Sequence, residues 1–358
     1  VVMQRPAKPF TPVRFRFQPP CKQSIIFSLF SICPGGGIGR HKGLKIPRQQ
    51  WRAGSSSALG TLTINMETIK TQALVVGAGV VGTAIARQLS ISVIETILVE
   101  KNSCIGEEVS ARNSGVIHAG FYYPPQSLKA QFCNLGNKLI YNYCKDRDIY
   151  AKKTGKILVS SNKNSPGIFR NYIENARKAG GQNLRELSKA ELNDLEPSIS
   201  SAYGLLSPES GVLDVHKYIA SLENEFLKSG GITSLRTKFL KVSKNNKTFS
   251  SILSNANENF IITSKIVIIA AGLHSDQLHH CLPISAKNLC KPVNYSKGHY
   301  FKLSGAAPFK HLIYPLPTRF GLGIHAGFDI DGSIRFGPDA LWSSEISYKF
   351  TPGLKEIF

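Results

Sequence analysis

The sequence predicts an α/β fold in two lobes: a Rossmann-like dinucleotide-binding domain and a second, substrate domain built on an antiparallel sheet. Three observations predict it. The apolar run Ala73 to Val76 meets Gly77, Gly79 and Gly82, an apolar-periodic stretch from Val80 to Leu89 follows, and a second apolar run ends in Glu100. A further apolar run, Ile266 to Ala270, closes in Ala271 and Gly272. Beyond Lys287, short alternating segments recur at Gly298 to Leu303, Gly321 to His325 and Ser333 to Phe336, as antiparallel strands do. With 358 residues and 42% hydrophobic content, the chain can fill two cores.

Composition separates the first segment from the rest. Residues 1–65 carry ten basic residues, no acid and seven prolines. Such a stretch resists both helix and core, so it is expected to be a basic, disordered or non-native leader, with Met66 as the start of the folded protein. An acid-free leader containing Arg and Ser also fits a mitochondrial transit peptide, although its prolines break the amphipathic helix such a peptide uses. The remaining 34 basic and 23 acidic residues leave an excess spread through segments such as Lys238 to Lys247 without basic-aromatic alternation. That pattern argues against nucleic acid as a partner. Seven cysteines without C-x-x-C spacing argue against a zinc site or a disulfide framework, and no metal is expected. The apolar run Ile25 to Cys33 is too short to span a bilayer.

The other elements follow in order. Ser127 caps a long helix reaching about Asp146, whose stripe of Leu128, Phe132, Leu135, Leu139 and Tyr143 is expected to be core. A strand at Lys156 to Ser160 precedes a helix from about Ile168 to Ala179, the polar stretch Glu186 to Pro197, and turns within Ser207 to Asp214. Asp214 caps a helix from Val215 to Lys228 that turns Ile219, Leu222 and Phe226 one way. Strands near Thr233 to Val242, Phe249 to Leu253 and Asn259 to Ser264 lead to the apolar run at Ile266. This order assigns residues 66–150 and 205–285 to a discontinuous nucleotide-binding domain, and residues 151–204 and 286–350 to the substrate domain.

The glycines have separate tasks. Gly77 permits the tight turn from strand to helix, Gly79 lets the backbone approach a pyrophosphate, and Gly82 lets the helix pack against the strands. The helix N-terminus offers N–H groups to phosphate, and Glu100 can accept from ribose hydroxyls. At the end of the later apolar run, Ala270, Ala271 and Gly272 remove side-chain bulk where a ligand would cross the carboxyl edge of a parallel sheet.

Further segments are distinctive: A-R-N-S-G-V-I-H-A-G-F-Y-Y (Ala111 to Tyr123), L-L-S-P-E-S-G-V-L-D-V-H (Leu205 to His216), V-I-I-A-A-G-L-H-S-D (Val267 to Asp276), K-G-H-Y-F (Lys297 to Phe301), L-I-Y-P-L-P (Leu312 to Pro317), G-L-G-I-H (Gly321 to His325) and R-F-G-P-D (Arg335 to Asp339). With G-A-G-V-V-G-T-A-I-A-R (Gly77 to Arg87), they make the chain resemble the FAD-dependent oxidoreductases of the D-amino-acid oxidase superfamily, and within it the L-2-hydroxyglutarate dehydrogenase-like branch. The resemblance spans most of residues 70–350. It implies FAD as the cofactor, with Gly77, Gly79 and Gly82 at its pyrophosphate and Glu100 at the adenosine ribose. It also implies that Asn113, Ser114 and Gly115 pass beside the flavin, that Ala271 and Gly272 close the other side, and that Phe239 offers backbone contacts to the adenine.

The implied reaction is oxidation of L-2-hydroxyglutarate, or a related small-molecule 2-hydroxy acid, to the 2-oxo acid. Electrons would leave through a quinone or electron-transfer carrier at a membrane surface. The implied location is cytoplasmic and peripheral to the membrane, or mitochondrial if the leader is a transit peptide. Oxidising a carbinol requires a base for the hydroxyl proton, and the ordinary pKa of histidine suits that task. His118 and His325, in segments resembling the family's flavin-facing loops, are the candidates, with His299 a third. A dicarboxylate calls for cations and hydroxyls, and Arg112, Tyr122, Lys297, Tyr300 and Tyr314 stand in matching segments. An FAD-dependent amine or amino-acid oxidase is the alternative among enzymes. The family pattern also continues past the G-P-D segment with a stretch resembling G-I-R-P-K-L and a glycine-rich turn, whereas this sequence ends at Phe358. On that count an inactive, truncated flavin-binding remnant is the reading from another class.

Overall fold

The structure, a computed structural model, describes residues 66–181, 183–256, 258–283, 293–317 and 323–354. The expectations for residues 1–65, and for a strand beginning at Gly321, lie outside them. The first elements are β1 (Thr68–Lys70), β2 (Ala73–Val76), α1 (Val80–Ile91), β3 (Thr96–Val99), β4 (Val116–Ile117), α2 (Leu128–Lys145), β5 (Ala151–Lys152) and β6 (Lys156–Ser160). Then come α3 (Ser165–Lys178), β7 (Arg185–Leu187), α4 (Lys189–Leu195), β8 (Tyr203–Ser207), β9 (Gly211–Leu213), α5 (Val215–Lys228), β10 (Ile232–Ser234) and β11 (Thr237–Asn245). The chain continues through β12 (Thr248–Asn255), β13 (Glu258–Ser264), β14 (Ile266–Ile269), β15 (Tyr295–Lys297), β16 (Phe301–Lys302), β17 (Leu312–Pro315), β18 (His325–Phe328), β19 (Ile334–Gly337) and β20 (Leu341–Ser343). Among the described residues, no helix is long and apolar enough to cross a membrane.

The chain divides into two compact units. One combines residues 66–111 with 219–293, the other residues 112–218 with 294–354. Residues 112–150 and 205–218, expected in the nucleotide-binding domain, therefore group with the second unit.

In the first unit, β10, β3, β2 and β14 form a parallel sheet in that order. Successive residues of a strand face opposite sides. Leu74 and Val76 of β2 pack with Ile97, Val99, Phe239 and Leu253, while Val75 packs with Ala86, Leu98 and Phe226. Both faces of β2 are covered, which is why it reads as an unbroken apolar run. The later run behaves differently: β14 is an edge strand, and Ile266 is 40% exposed. Its apolar sequence marks a parallel partner of β2, although the strand is only partly buried.

In the second unit, β16, β19, β18, β17, β6, β8 and β7 form a seven-stranded sheet. It is mixed, not antiparallel as expected, because β17 runs parallel to β6. The two strands lie far apart in sequence, so no hairpin dictates their relative direction. Residues 186–197, read only as a polar stretch, contain the end of β7 and α4, whose start is a capping box between Ser188 and Glu191.

The largest correction concerns α2. Ser127 does cap it, accepting from the Ala130 N–H. Yet Leu128, Phe132, Leu135 and Leu139 are 54 to 66% exposed, and the buried residues are Ala130, Asn134, Asn137 and Cys144. Of the expected core stripe, only Tyr143 packs inward, edge-on to Tyr218. The polar face goes inside because it has work there. Asn137 Nδ2 donates to the carbonyls of His118 (3.0 Å) and Glu209 (3.1 Å), and Asn134 Nδ2 donates to that of Ala179 (3.2 Å). Buried carbonyls need donors more than the apolar stripe needs cover.

Candidate functional site

The first unit brings a glycine turn to the carboxyl ends of β2 and β14. Gly77 has φ +102°, and a Cβ there would stand 2.5 Å from the carbonyl oxygen of Ala270. At Gly82 a Cβ would stand 1.9 Å from the carbonyl oxygen of Gly77. These two glycines are therefore required by the turn and by helix packing. Gly79 differs, because its Cβ would meet only Ser110 Oγ, at 3.1 Å. The protein's own atoms leave that approach open, as a phosphate-binding turn must. Ser110 Oγ also accepts from Val80 N at the start of α1.

Glu100 follows β3 and is 7% exposed. Its carboxylate oxygens accept from Ala78 N (2.8 Å) and Asn102 N (3.0 Å), which fixes its direction beside the glycine turn. Each oxygen retains a lone pair for a ribose hydroxyl. Ala271 lies against the same turn: its Cα is 3.2 Å from the Cβ position of Gly77, and it leads into a short 3₁₀ turn at Gly272–His274. Gly77, Gly82, Glu100 and Ala271 thus surround one turn, and the residues fit a dinucleotide cofactor. The Phe239 side chain belongs to the core, where a register irregularity between Phe239 and Lys241 interrupts the β11–β12 ladder.

The second unit holds the chemistry-bearing residues. Asn113 Oδ1 accepts from Gly115 N (2.8 Å), and Gly115 adopts φ +63°. The Ser114 carbonyl accepts from Arg335 Nη2 at 2.8 Å. Strand alternation then places four side chains on one face of the large sheet: Arg335 on β19, His325 on β18, Tyr314 on β17 and Lys156 on β6. The opposite face carries Ile157, Ile313, Ala326 and Ile334. Gly327 lies on the site face in register with Arg335, and a Cβ there would meet no atom within 4 Å.

His325 is buried and stacks on Tyr314, with ring centroids 3.8 Å apart and planes at 14°. Its Nδ1 lies 2.9 Å from the Gly323 carbonyl, which can only accept, so Nδ1 carries the proton and Nε2 presents a lone pair. Among the described residues, His325 Nε2, Tyr314 Oη, Tyr122 Oη and Arg335 Nε are buried without a hydrogen-bond partner. Buried polar atoms left without a partner are able to receive hydrogen bonds from, or donate them to, a ligand. Burial lowers the His325 pKa to about 4, and burial together with Lys156 lowers that of His118 to about 3. Burial also pushes the Tyr122, Tyr300 and Tyr314 hydroxyls up. Both rings are neutral at ordinary pH, and the phenols stay protonated as donors.

Other expected residues lie elsewhere in this unit. Arg112 is exposed over the Tyr348 ring at 4.1 Å, and Lys297 Nζ donates to the Lys349 carbonyl at 2.9 Å. His299 is paired through Nδ1 with the Asp339 carboxylate (2.9 Å). Tyr300 lies under the Arg335 guanidinium, 5.0 Å from ring centroid to Cζ. Two residues escaped the sequence reading. The sequence signal for Lys156 was a single charge at the head of the apolar segment K-I-L-V, and Arg335 stood in the quoted segment R-F-G-P-D without being singled out.

Comparison with known proteins identifies the family and the fold. A family model described as FAD dependent oxidoreductase matches residues 72–356. The chain is 34% identical over 313 residues to mitochondrial L-2-hydroxyglutarate dehydrogenase of Arabidopsis thaliana, covering 79% of this chain and 64% of the plant protein. It is 32% identical over 275 residues to L-2-hydroxyglutarate dehydrogenase of Salmonella houtenae, covering 75% and 63% respectively. The chain thus spans less than two thirds of the length of these relatives. Among solved structures it is similar to FAD-bound, dithionite-reduced L-alpha-glycerophosphate oxidase from Mycoplasma pneumoniae, with TM-score 0.69 and 25% identity over 77% of this chain and 73% of that one. Glycine oxidase from Geobacillus kaustophilus shares the fold, with TM-score 0.65 and 16% identity over 78% and 74%.

Proposed function

This chain belongs to the FAD dependent oxidoreductase family, with FAD as its cofactor, and on that premise we propose that it oxidises L-2-hydroxyglutarate, or a related 2-hydroxy acid, to the 2-oxo acid. The observation that carries the reading is the buried, unpartnered Nε2 of His325, with its tautomer set by the Gly323 carbonyl. A lone pair held in this way takes the hydroxyl proton of the carbinol. FAD, when bound, supplies the two-electron acceptor for the hydride. The Tyr122 and Tyr314 hydroxyls and Arg335 Nε offer the donors that a substrate carboxylate requires, and Gly327, in register with Arg335, leaves open space above its Cα. We further propose that the electrons leave through a quinone or another carrier.

The test is steady-state turnover of the 358-residue chain loaded with FAD, using an artificial electron acceptor. L-2-hydroxyglutarate should be oxidised in preference to its D-enantiomer, glycerol 3-phosphate, glycine and L-proline. His325→Ala should retain FAD and lower turnover by roughly two to four orders of magnitude, the range for losing a general base. Because the base must be unprotonated and its pKa is lowered to about 4, kcat/KM should fall only as pH drops through about 4. Preferential turnover of an amine, or normal turnover in His325→Ala, would overturn the reading.

A further inference from the structure

Lys156 is a fully buried lysine that the proposed reaction does not use. Its Nζ lies 3.4 Å from His118 Nδ1 and 4.7, 4.9 and 5.3 Å from the ring centroids of Tyr314, Tyr122 and Phe121. Among the described residues no ion pair includes it. The groups facing it are His118 and Tyr122 from the segment after β4, Tyr314 from β17 and the Cys133 thiol from α2, with Lys129 and His325 acting on the same imidazole. None of them is a carboxylate. A buried cation surrounded by aromatic faces has one directional partner there, the His118 ring.

We propose, building on the reaction above, that Lys156 is the positioning residue of His118, donating from Nζ to Nδ1 and so holding the ring in the tautomer whose Nε2 carries the proton. His118 is then a hydrogen-bond donor at Nε2, whereas His325 is an acceptor at its own Nε2. Two histidines in similar sequence contexts are divided into opposite roles by their Nδ1 partners, an amine for one and a carbonyl for the other. The donor role survives titration of the lysine, because a neutral amine keeps N–H groups. What titration changes is the positive charge beside His118, which opposes protonation of that ring.

The test is a two-bond 1H–15N correlation of the imidazoles in the histidine-labelled 358-residue chain, from pH 5 to 9. In the wild type, His118 should show a pyridine-type Nδ1 and a pyrrole-type Nε2, with the reverse pattern for His325. The His118 signals should also sense a titration near pH 7, that of the lysine. Lys156→Met removes the donor and the charge with little change of volume. It should turn His118 into a mixture of tautomers and raise its pKa. A pyrrole-type Nδ1 in wild-type His118 overturns the proposal without any variant, and unchanged His118 signals in Lys156→Met overturn it as well. Loss of turnover in His325→Ala alongside unchanged His118 signals in Lys156→Met sinks the role of Lys156 alone. Normal turnover in His325→Ala sinks the reaction and leaves the tautomer result standing.

Discussion

A lysine buried without a carboxylate leaves a thermodynamic signature. The Lys156 amine is pushed down from 10.5 to about 7, chiefly by burial. Between those limits the unfolded chain holds a proton that the folded chain has released, so stability rises with pH across the window, and the penalty is complete below about 7. The span amounts to something on the order of 5 kcal/mol. Lys156→Met should therefore be more stable than wild type at pH 6 and should lose most of the gain between pH 7 and 10 in denaturant titrations. Equal slopes in the two proteins would show that the amine is solvated. Lowering of the His118 and His325 pKa values adds a second, separate rise between about 3 and 6.5. Gly79 supplies another residue-scale test. Since its Cβ would meet only Ser110 Oγ, Gly79→Val should leave the melting temperature of the cofactor-free protein near wild type while abolishing FAD retention. Retention at wild-type affinity would place the pyrophosphate elsewhere. The shape of the glycine turn and the placement of Glu100 beside it were legible in the sequence because both depend on neighbours within one βαβ unit.

At the scale of elements, helix bounds were easier to read than helix faces. Asp214 caps α5 through Lys217 N, and Ile219, Leu222 and Phe226 are buried as their spacing predicts. In α2 the bounds and the Ser127 cap also agree, but the face is inverted. An apolar stripe is a statement about what a helix can bury, and the groups awaiting α2 were carbonyls of the segments carrying His118, Ala179 and Glu209. Leu135→Ser should accordingly change stability by less than about 0.5 kcal/mol. Asn137→Leu, a more apolar helix by sequence, should cost roughly 1–3 kcal/mol for each carbonyl it strands. Thermal unfolding of the two variants distinguishes the assignments, and the reverse order of effects would restore the stripe to the core. Strand direction was similarly hidden. The segments 312–315 and 325–328 lie close in sequence and pair antiparallel, whereas the parallel pairing of β17 with β6 joins residues some 150 positions apart.

For the whole molecule, the formal charge of +21 bears on how an anion arrives. A dicarboxylate should be drawn in by a field that salt screens, so kcat/KM for L-2-hydroxyglutarate should fall as ionic strength rises from roughly 20 to 200 mM, with kcat little changed. A 2-hydroxy monocarboxylate should lose less. Identical salt dependence for the two would mean that the charge is too dispersed to steer. The sequence by itself determined the βαβ cradle, the helices with their caps and the family to which these segments belong, because spacing over some thirty residues encodes a turn, a helix and its flanking strands. Only the tertiary structure decided that Lys156 is buried against His118, and that Arg335, His325, Tyr314 and Lys156 share one sheet face. A strand residue has two faces to choose from, and which one becomes a site depends on strands that join it from distant parts of the chain.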